Sequence, residues 1–515
     1  MMHWAQPKIA RDQTVLFAPT LDDVIDADHP VRLFEETFSR IDFSAWESQY
    51  VRVEGQPAIH PRIMAGVILY GLSLGIRSSR RLEDATANRV DFIWLCHGRV
   101  IDHSTLAGFR TRFEKQLKDL FKQIGRLAIE LGMVNLNQIA LDGTAKRSNN
   151  SRHATARRTP LSQKLMALDQ QINQLMKEAQ AADQADQQLL GDSSPTKLPQ
   201  DLRKLKERQD RLAKALKRLD ELDKKQEGRK NAPAKGPAVP TTDPDSSVLP
   251  NKAGGYAPNY TVVLATEGQS GLIVDCQVLG DNNEPATVLP AIENVEKTFG
   301  QKPGQILADS NFNTGENLAR LKEEGVEALM PPKQPEPQEN PALRENPSEP
   351  VAADQREKLP LSPQSKKLDR NAFQYNEAED SYRCPMGRRL VFIGVESRGE
   401  DRCRRRVYEC EGCAGCELGP RCLAGKRENR RVVRDEHEPL REEMASRMKS
   451  ESGKATYRRR SFLSETPFAV FNGAMNMGQM LLRGIRKVKM EMSWVCSAYN
   501  LRKIMFYQAR QRCAL

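Results

Sequence analysis

Over the first 125 residues, apolar side chains recur every three or four positions, which predicts helices. Pro61-Arg62-Ile63-Met64-Ala65-Gly66-Val67-Ile68-Leu69-Tyr70 opens with Pro where a first turn tolerates it and continues apolar. Ser78 and Asp102 stand ahead of further helical stretches as capping residues. Gln138-Ile139-Ala140-Leu141 then predicts a strand ending at Asp142. Residues 161–226 return to a helical period, with Leu165, Leu168, Ile172 and Leu175 in one stretch and Leu202, Leu205, Leu212, Leu216 and Leu219 in another. Gly191 and Pro195 lie between them, so a helical hairpin or coiled-coil arm is expected.

From Tyr260 the period drops to two. Tyr260–Ala265 and Leu272–Leu279 read as paired strands around Gly268-Gln269-Ser270-Gly271. A helix over Pro285–Phe299, a strand into Asp309, a helix from Thr314 to about Glu324 and a strand Ala328-Leu329-Met330 follow. Residues 331–365 are rich in Pro, Glu and Gln, and a disordered linker is expected over 331–372. A Cys-rich segment and a helical C-terminus close the chain. Without its two insertions, this order is the plan of a ribonuclease-H-like α/β mixed sheet, behind an all-α N-terminal region. In that plan, acids fall on the first strand, just after the fourth, and on a later helix, where Asp142, Asp309 and Glu465 stand. A carboxylate at the tip of a buried strand is costly without a cation or strong donors, and three converging oxygens suit Mg²⁺.

The 515 residues imply two to four domains. Lys and Arg number 79 against 68 Asp and Glu, and the net charge of +11 favours a polyanionic partner. Exposed Arg77, Arg80, Arg81, Arg110 and Arg112 on the N-terminal helices would suit a phosphate backbone; solvated charges on a helical bundle are the plain alternative. The N-terminus lacks an apolar signal core and no long apolar run occurs, so a soluble intracellular protein is expected. Six of the ten Cys fall between Cys384 and Cys422. Cys410, Cys413, Cys416 and Cys422 would suit a tetrahedral Zn²⁺ site, with Cys384 able to replace one. His103, beside Asp102 and Ser104, reads as a helix-start residue.

The segments Ala140-Leu141-Asp142-Gly143-Thr144, Leu307-Ala308-Asp309-Ser310-Asn311-Phe312 and Tyr457-x-x-Arg460-x-x-x-x-Glu465 together resemble bacterial insertion-sequence transposases of the DDE class. The Pro61-to-Arg112 stretch resembles the helical domain ahead of their catalytic core. Asp243-Pro244-Asp245-Ser246, followed by Gly255-Tyr256 and Asn259, matches the lead-in to their second strand. One departure is that Phe468 to Leu482 contains no Lys or Arg, where the family often carries one.

The resemblance implies a DNA transposase with Asp142, Asp309 and Glu465 as catalytic ligands of two Mg²⁺ (or Mn²⁺) ions. It implies cleavage at insertion-sequence ends, then attack of the freed 3′-hydroxyl on target DNA. Tyr457 and Arg460, with Arg80, Arg81 and Arg110, would contact DNA. The expected partners are double-stranded terminal inverted repeats and target DNA, bound by a homodimer, with no membrane. Location would be cytoplasmic, and nucleoid-associated when on DNA. The expected domains are a helical DNA-binding domain over 1–130, a catalytic domain over 131–332 and 440–515, a hairpin insertion over 155–230, the linker over 331–372 and a Cys-rich insertion over 373–435. A catalytically inactive DNA-binding relative is the alternative.

Overall fold

Pro61 starts the helix Pro61–Ser73, where its missing N–H would be unpaired in any residue, and His60 caps that helix by accepting from the Arg62 N–H. Asp102 caps His103–Arg112 through the N–H groups of Ser104 and Thr105. These helices belong to a computed structural model that describes residues 20–513, apart from 51–56, 191–199, 228–235, 251–253, 334–338, 364, 399–402, 424 and 426. The described residues form two units. One runs to Pro303 and resumes at Ser461; the other is Gly304–Arg460. The architecture is mixed α/β with a helical N-terminal region.

In the first unit the N-terminal helices enclose an aromatic core that includes buried Phe34, Phe38, Trp46, Tyr70, Phe92 and Phe109. The C-terminal helix Ile485–Cys513 enters the same core: Trp494 lies 6.0 Å from Trp46 between ring centroids, and its indole N–H donates to the Arg110 carbonyl. Residues 1–130 were expected as a separate domain, but their described part shares its core with the C-terminus.

A buried ion pair fastens this union. Arg77 reaches the Glu491 carboxylate at 2.8 Å and donates to the carbonyls of Asn476 and Gln479. Glu491 in turn accepts the N–H groups of Leu481 and Leu482.

The strand Gln138–Arg147 runs antiparallel to Tyr256–Glu267, with Asp142 opposite Leu264. Tyr256–Glu267 also pairs with Ile273–Leu279 and Ser247–Pro250. The first strand therefore does not end at Asp142, as its apolar run suggested, but continues five residues to Arg147. Thr144 and Lys146 are buried there despite their polarity, and Lys146 finds its partners in Asn472 and Met477 near the C-terminus.

The two leucine-spaced stretches are the helices Arg158–Leu190 and Gln200–Gln226. They run antiparallel: Arg158 pairs with Asp220 and Asp223, while Gln209 donates to Asp169. Leu161, Leu168, Ile172, Leu212 and Leu219 line the buried seam.

In the second unit the parallel strands Gln305–Leu307 and Glu327–Leu329 flank the helix Gly315–Glu323, which Thr314 caps. A five-stranded antiparallel sheet follows, built from Gln374–Asn376, Ser381–Arg383, Arg389–Arg398, Cys403–Cys410 and Arg431–Asp435. The linker expected to be disordered over 331–372 is corrected for its described part. Ala342, Val351, Leu359 and Leu368 are buried against this sheet. Proline-rich chain needs no ladder to pack when side chains satisfy its carbonyls, and Arg344 donates to those of Ala342, Pro347 and Cys384. Residues 334–338 lie outside the described set. Among the described residues, no helix is long and apolar enough to cross a membrane.

Removing one partner of a buried ion pair strands the other, at about 3–5 kcal/mol. Glu491→Ala is therefore expected to destabilise the first unit by about that amount, and Arg77→Met/Glu491→Leu to recover part of the loss. Denaturant unfolding of the three proteins checks this; a Glu491→Ala variant as stable as the parent removes the pair from its structural role.

Candidate active site

Strand alternation puts Asp142, Thr144 and Lys146 on one face of Gln138–Arg147. The buried Lys146 ammonium bonds to the Asn472 side chain and donates to the Met477 carbonyl at 3.2 Å. Asn472 is the last residue of the helix Glu451–Asn472, which carries Glu465. The chain beyond stays fastened to the strand: the Met480 N–H donates to the Arg147 carbonyl at 2.8 Å, and Gln479 forms a parallel bridge with Arg147. Within the first unit, the strand face bearing Asp142 is thus tied to the end of the Glu465 helix. Glu465 itself is exposed and accepts from the Ser461 hydroxyl at 3.0 Å. Two residues on, Pro467 deletes one backbone donor from the helix.

In the second unit, Asp309 follows the strand Gln305–Leu307. Its Oδ1 accepts the Asn311 N–H at 2.8 Å in an Asx turn. Its Oδ2 lies 4.0 Å from Arg460 Nη2, an ion-pair distance too long for a hydrogen bond. The Tyr457 hydroxyl donates to the carbonyl of Ala308, 149 residues away in sequence, at 3.3 Å. Asp309, Tyr457 and Arg460 therefore meet, with the Asp309 side chain one-third exposed and that of Arg460 16% exposed. An accessible carboxylate oxygen is a donor that Mg²⁺ favours, and a planar guanidinium beside it matches a phosphate. Asp142 and Glu465 fall in the first unit and Asp309 in the second.

The expected DNA contacts divide. Arg80 and Arg81 are exposed on the helix Ser79–Asn88. Arg110 is corrected: its guanidinium turns inward to the Arg77 carbonyl at 2.5 Å, and burial pulls its pKa down to about 10. Arg77, also expected to be exposed, is buried on Glu491. A sequence reading counts both as surface charge because an arginine looks the same whether its partner is water or a carboxylate 414 residues away.

Asp243 and Asp245, part of the resemblance, accept the N–H groups of Gly484 and Ile485, where the C-terminal helix begins. Burial raises the Asp243 pKa, and Tyr260 donates to it at 2.8 Å. Lys146 was missed, although its period-two spacing from Asp142 marked the same face. Among the described residues, Glu83, Asp102 and His103 form one group whose possible metal-ligand atoms lie within 4.8 Å of one another, and Cys403, Glu436 and His437 form another. Neither contains Asp142, Asp309 or Glu465. Cys410, Cys413, Cys416 and Cys422 line one cavity together with Cys384.

Residues 383–505 match the family described as Transposase DDE domain, and residues 19–112 match Transposase domain (DUF772). Two transposase segments in one chain, one of DDE type, support an insertion-sequence DDE-type transposase, and with it an enzyme of the nuclease or transposase kind. The first match contains Tyr457, Arg460 and Glu465 and the second Arg80 and Arg81, whereas Asp142 and Asp309 lie outside both. A cryo-EM structure of a piggyBac transposase synaptic complex with hairpin DNA aligns with 92% of this chain and 81% of that one, at 10% identity and a TM-score of 0.22. That likeness is too loose to carry an argument. No curated protein matches the sequence.

Lys146→Met keeps the stem but leaves the Met477 carbonyl and the Asn472 side chain without their donor, a loss of about 1–3 kcal/mol. Faster hydrogen exchange over the last two turns of Glu451–Asn472 is expected, with little change in the helices before residue 130. Unchanged exchange there means that Lys146 does not hold the Glu465 helix.

Proposed function

We propose that the chain is a DNA transposase with a ribonuclease-H-like catalytic fold, cutting at the ends of its own element and joining them to target DNA. The observation that carries the reading is the meeting of Asp309 with Tyr457 and Arg460, which brings two separated parts of the resemblance to one place. In this reading Asp142, Asp309 and Glu465 supply the carboxylate oxygens that hold two Mg²⁺ or Mn²⁺ ions. Bound there, the metals would activate the attacking oxygen and stabilise the leaving one. Arg460 orients a DNA phosphate beside Asp309 with its planar fork, and Tyr457 sets that arginine's helix against the strand end. The exposed Arg80 and Arg81 add phosphate contacts that position the duplex without reading its sequence. The DNA partners are terminal inverted repeats and target duplex, held by a homodimer in the cytoplasm. A catalytically inactive DNA-binding relative remains the second reading, since Phe468 to Leu482 lacks the basic residue common in the family.

Purified protein is expected to nick duplexes carrying the inverted repeats that flank its reading frame, in Mg²⁺ and not in EDTA. Asp309→Asn should abolish cutting while leaving DNA affinity near that of the parent. Arg460→Ala should lower the cleavage rate on the order of a hundredfold, the scale of losing one charge-stabilising donor. Equal cutting by Asp309→Asn overturns the assignment; binding without cutting by the parent protein selects the inactive relative.

A further inference from the structure

Five cysteines from separate stretches of the second unit surround one cavity. Cys384 comes from the turn after Ser381–Arg383, Cys410 ends its strand, Cys413 and Cys416 sit in the loop that follows, and Cys422 ends the helix Gly419–Cys422. The cavity is about 20 Å³, room for one water-sized occupant. Leu368, Phe373 and Leu418 close much of the rest of its wall, so a water there would find poor partners. The Cys410 thiol interacts with those of Cys384 and Cys413, although no three of the five sulfurs lie within 4.8 Å of one another. None of the five is in a disulfide.

We propose that Cys384, Cys410, Cys413 and Cys422 hold a structural Zn²⁺ ion, with Cys416 at the rim and outside the ligand set. Burial separates the four from the fifth: they are 7%, 2%, 8% and 8% exposed, whereas Cys416 is only partly buried. Four thiolates in a tetrahedral arrangement are the usual structural zinc set, and Cys410-x-x-Cys413 has the spacing of a zinc-binding step. The charge also fits. Four thiolates and Zn²⁺ leave two negative charges, and Arg388 and Arg430 line the same cavity. Arg430 is fixed there by the carbonyls of Cys422 and Leu368, at 2.8 and 2.9 Å.

The turn that presents Cys384 is built for close approach. The Gly387 N–H donates to the Cys384 carbonyl at 2.9 Å, its φ is +76°, and a Cβ there would stand 2.0 Å from the Ser348 carbonyl oxygen. The strands on either side are joined by a core of modest size, in which the cysteines themselves are members. A metal would therefore act as part of that core, contributing folding free energy rather than chemistry. The proposal is independent of the DNA reading.

Metal analysis of the full-length protein, purified under reducing conditions, is expected to give one zinc per chain. Cobalt exchanged into the site should show the sulfur-to-metal charge-transfer and visible bands of a tetrahedral thiolate centre. Replacing Cys384, Cys410, Cys413 or Cys422 by Ser should remove the metal, and Cys416→Ser should retain it. Should a ligand variant fail to fold, the parent protein still decides: a mercurial reagent should release its zinc as four thiols become titratable, and its melting temperature should fall once a chelator removes the ion. Protein without zinc that shows no thiolate bands with cobalt, a disulfide among the five cysteines, or metal lost in Cys416→Ser would each overturn the assignment.

Discussion

The buried contact between Arg77 and Glu491 is the constraint on which the first unit turns. It joins residues 414 positions apart, and its value lies in what each partner does with its remaining hydrogen-bonding capacity. Arg77 closes two carbonyls of the 473–482 segment and Glu491 closes two amides of the same segment. That segment contains Met477 and Gln479, which meet Lys146 and Arg147 on the strand of Asp142. A charge pair taken from water is weak evidence for stability, but as a register device it leaves the loop few alternative positions. The placement of the first strand and of the end of the Glu465 helix thus descends from two side chains that no local pattern marks as special.

Local patterns were enough for the elements. Pro61, Asp102 and Thr314 announced helix starts, and the change of period at Tyr260 announced strands, because these signals act through nearest neighbours in the chain. Where the reading went wrong, a distant partner decided. The polar residues Thr144 and Lys146 hid the second half of a strand, and the partners that let Lys146 be buried, Asn472 and Met477, lie far along the chain. The Pro- and Glu-rich stretch near 340–372 looked too polar to pack, yet Arg344 and a handful of apolar side chains hold it on the Cys-rich sheet. Arg77 and Arg110 looked like surface charge for the same reason.

The candidate site was legible to a different degree in each part. The Tyr–Arg spacing before Glu465 marked Tyr457 and Arg460 as a pair, but not their place beside the strand end of Ala308 and Asp309, which only the fold reveals. The cysteines were visible as a cluster along the chain, but only folding separates the four buried thiols around the cavity from the partly buried Cys416. The acids themselves gave no local signal beyond their position at the end of an apolar run, which any buried strand can have.

The helix Glu451–Asn472 carries one further implication. Tyr457 and Arg460 are three residues apart and so emerge on the same side of the axis. Glu465, five residues beyond Arg460, is turned by about 140° and displaced by about 7.5 Å along it. The side of the helix that holds Tyr457 and Arg460 is therefore not the side that carries Glu465.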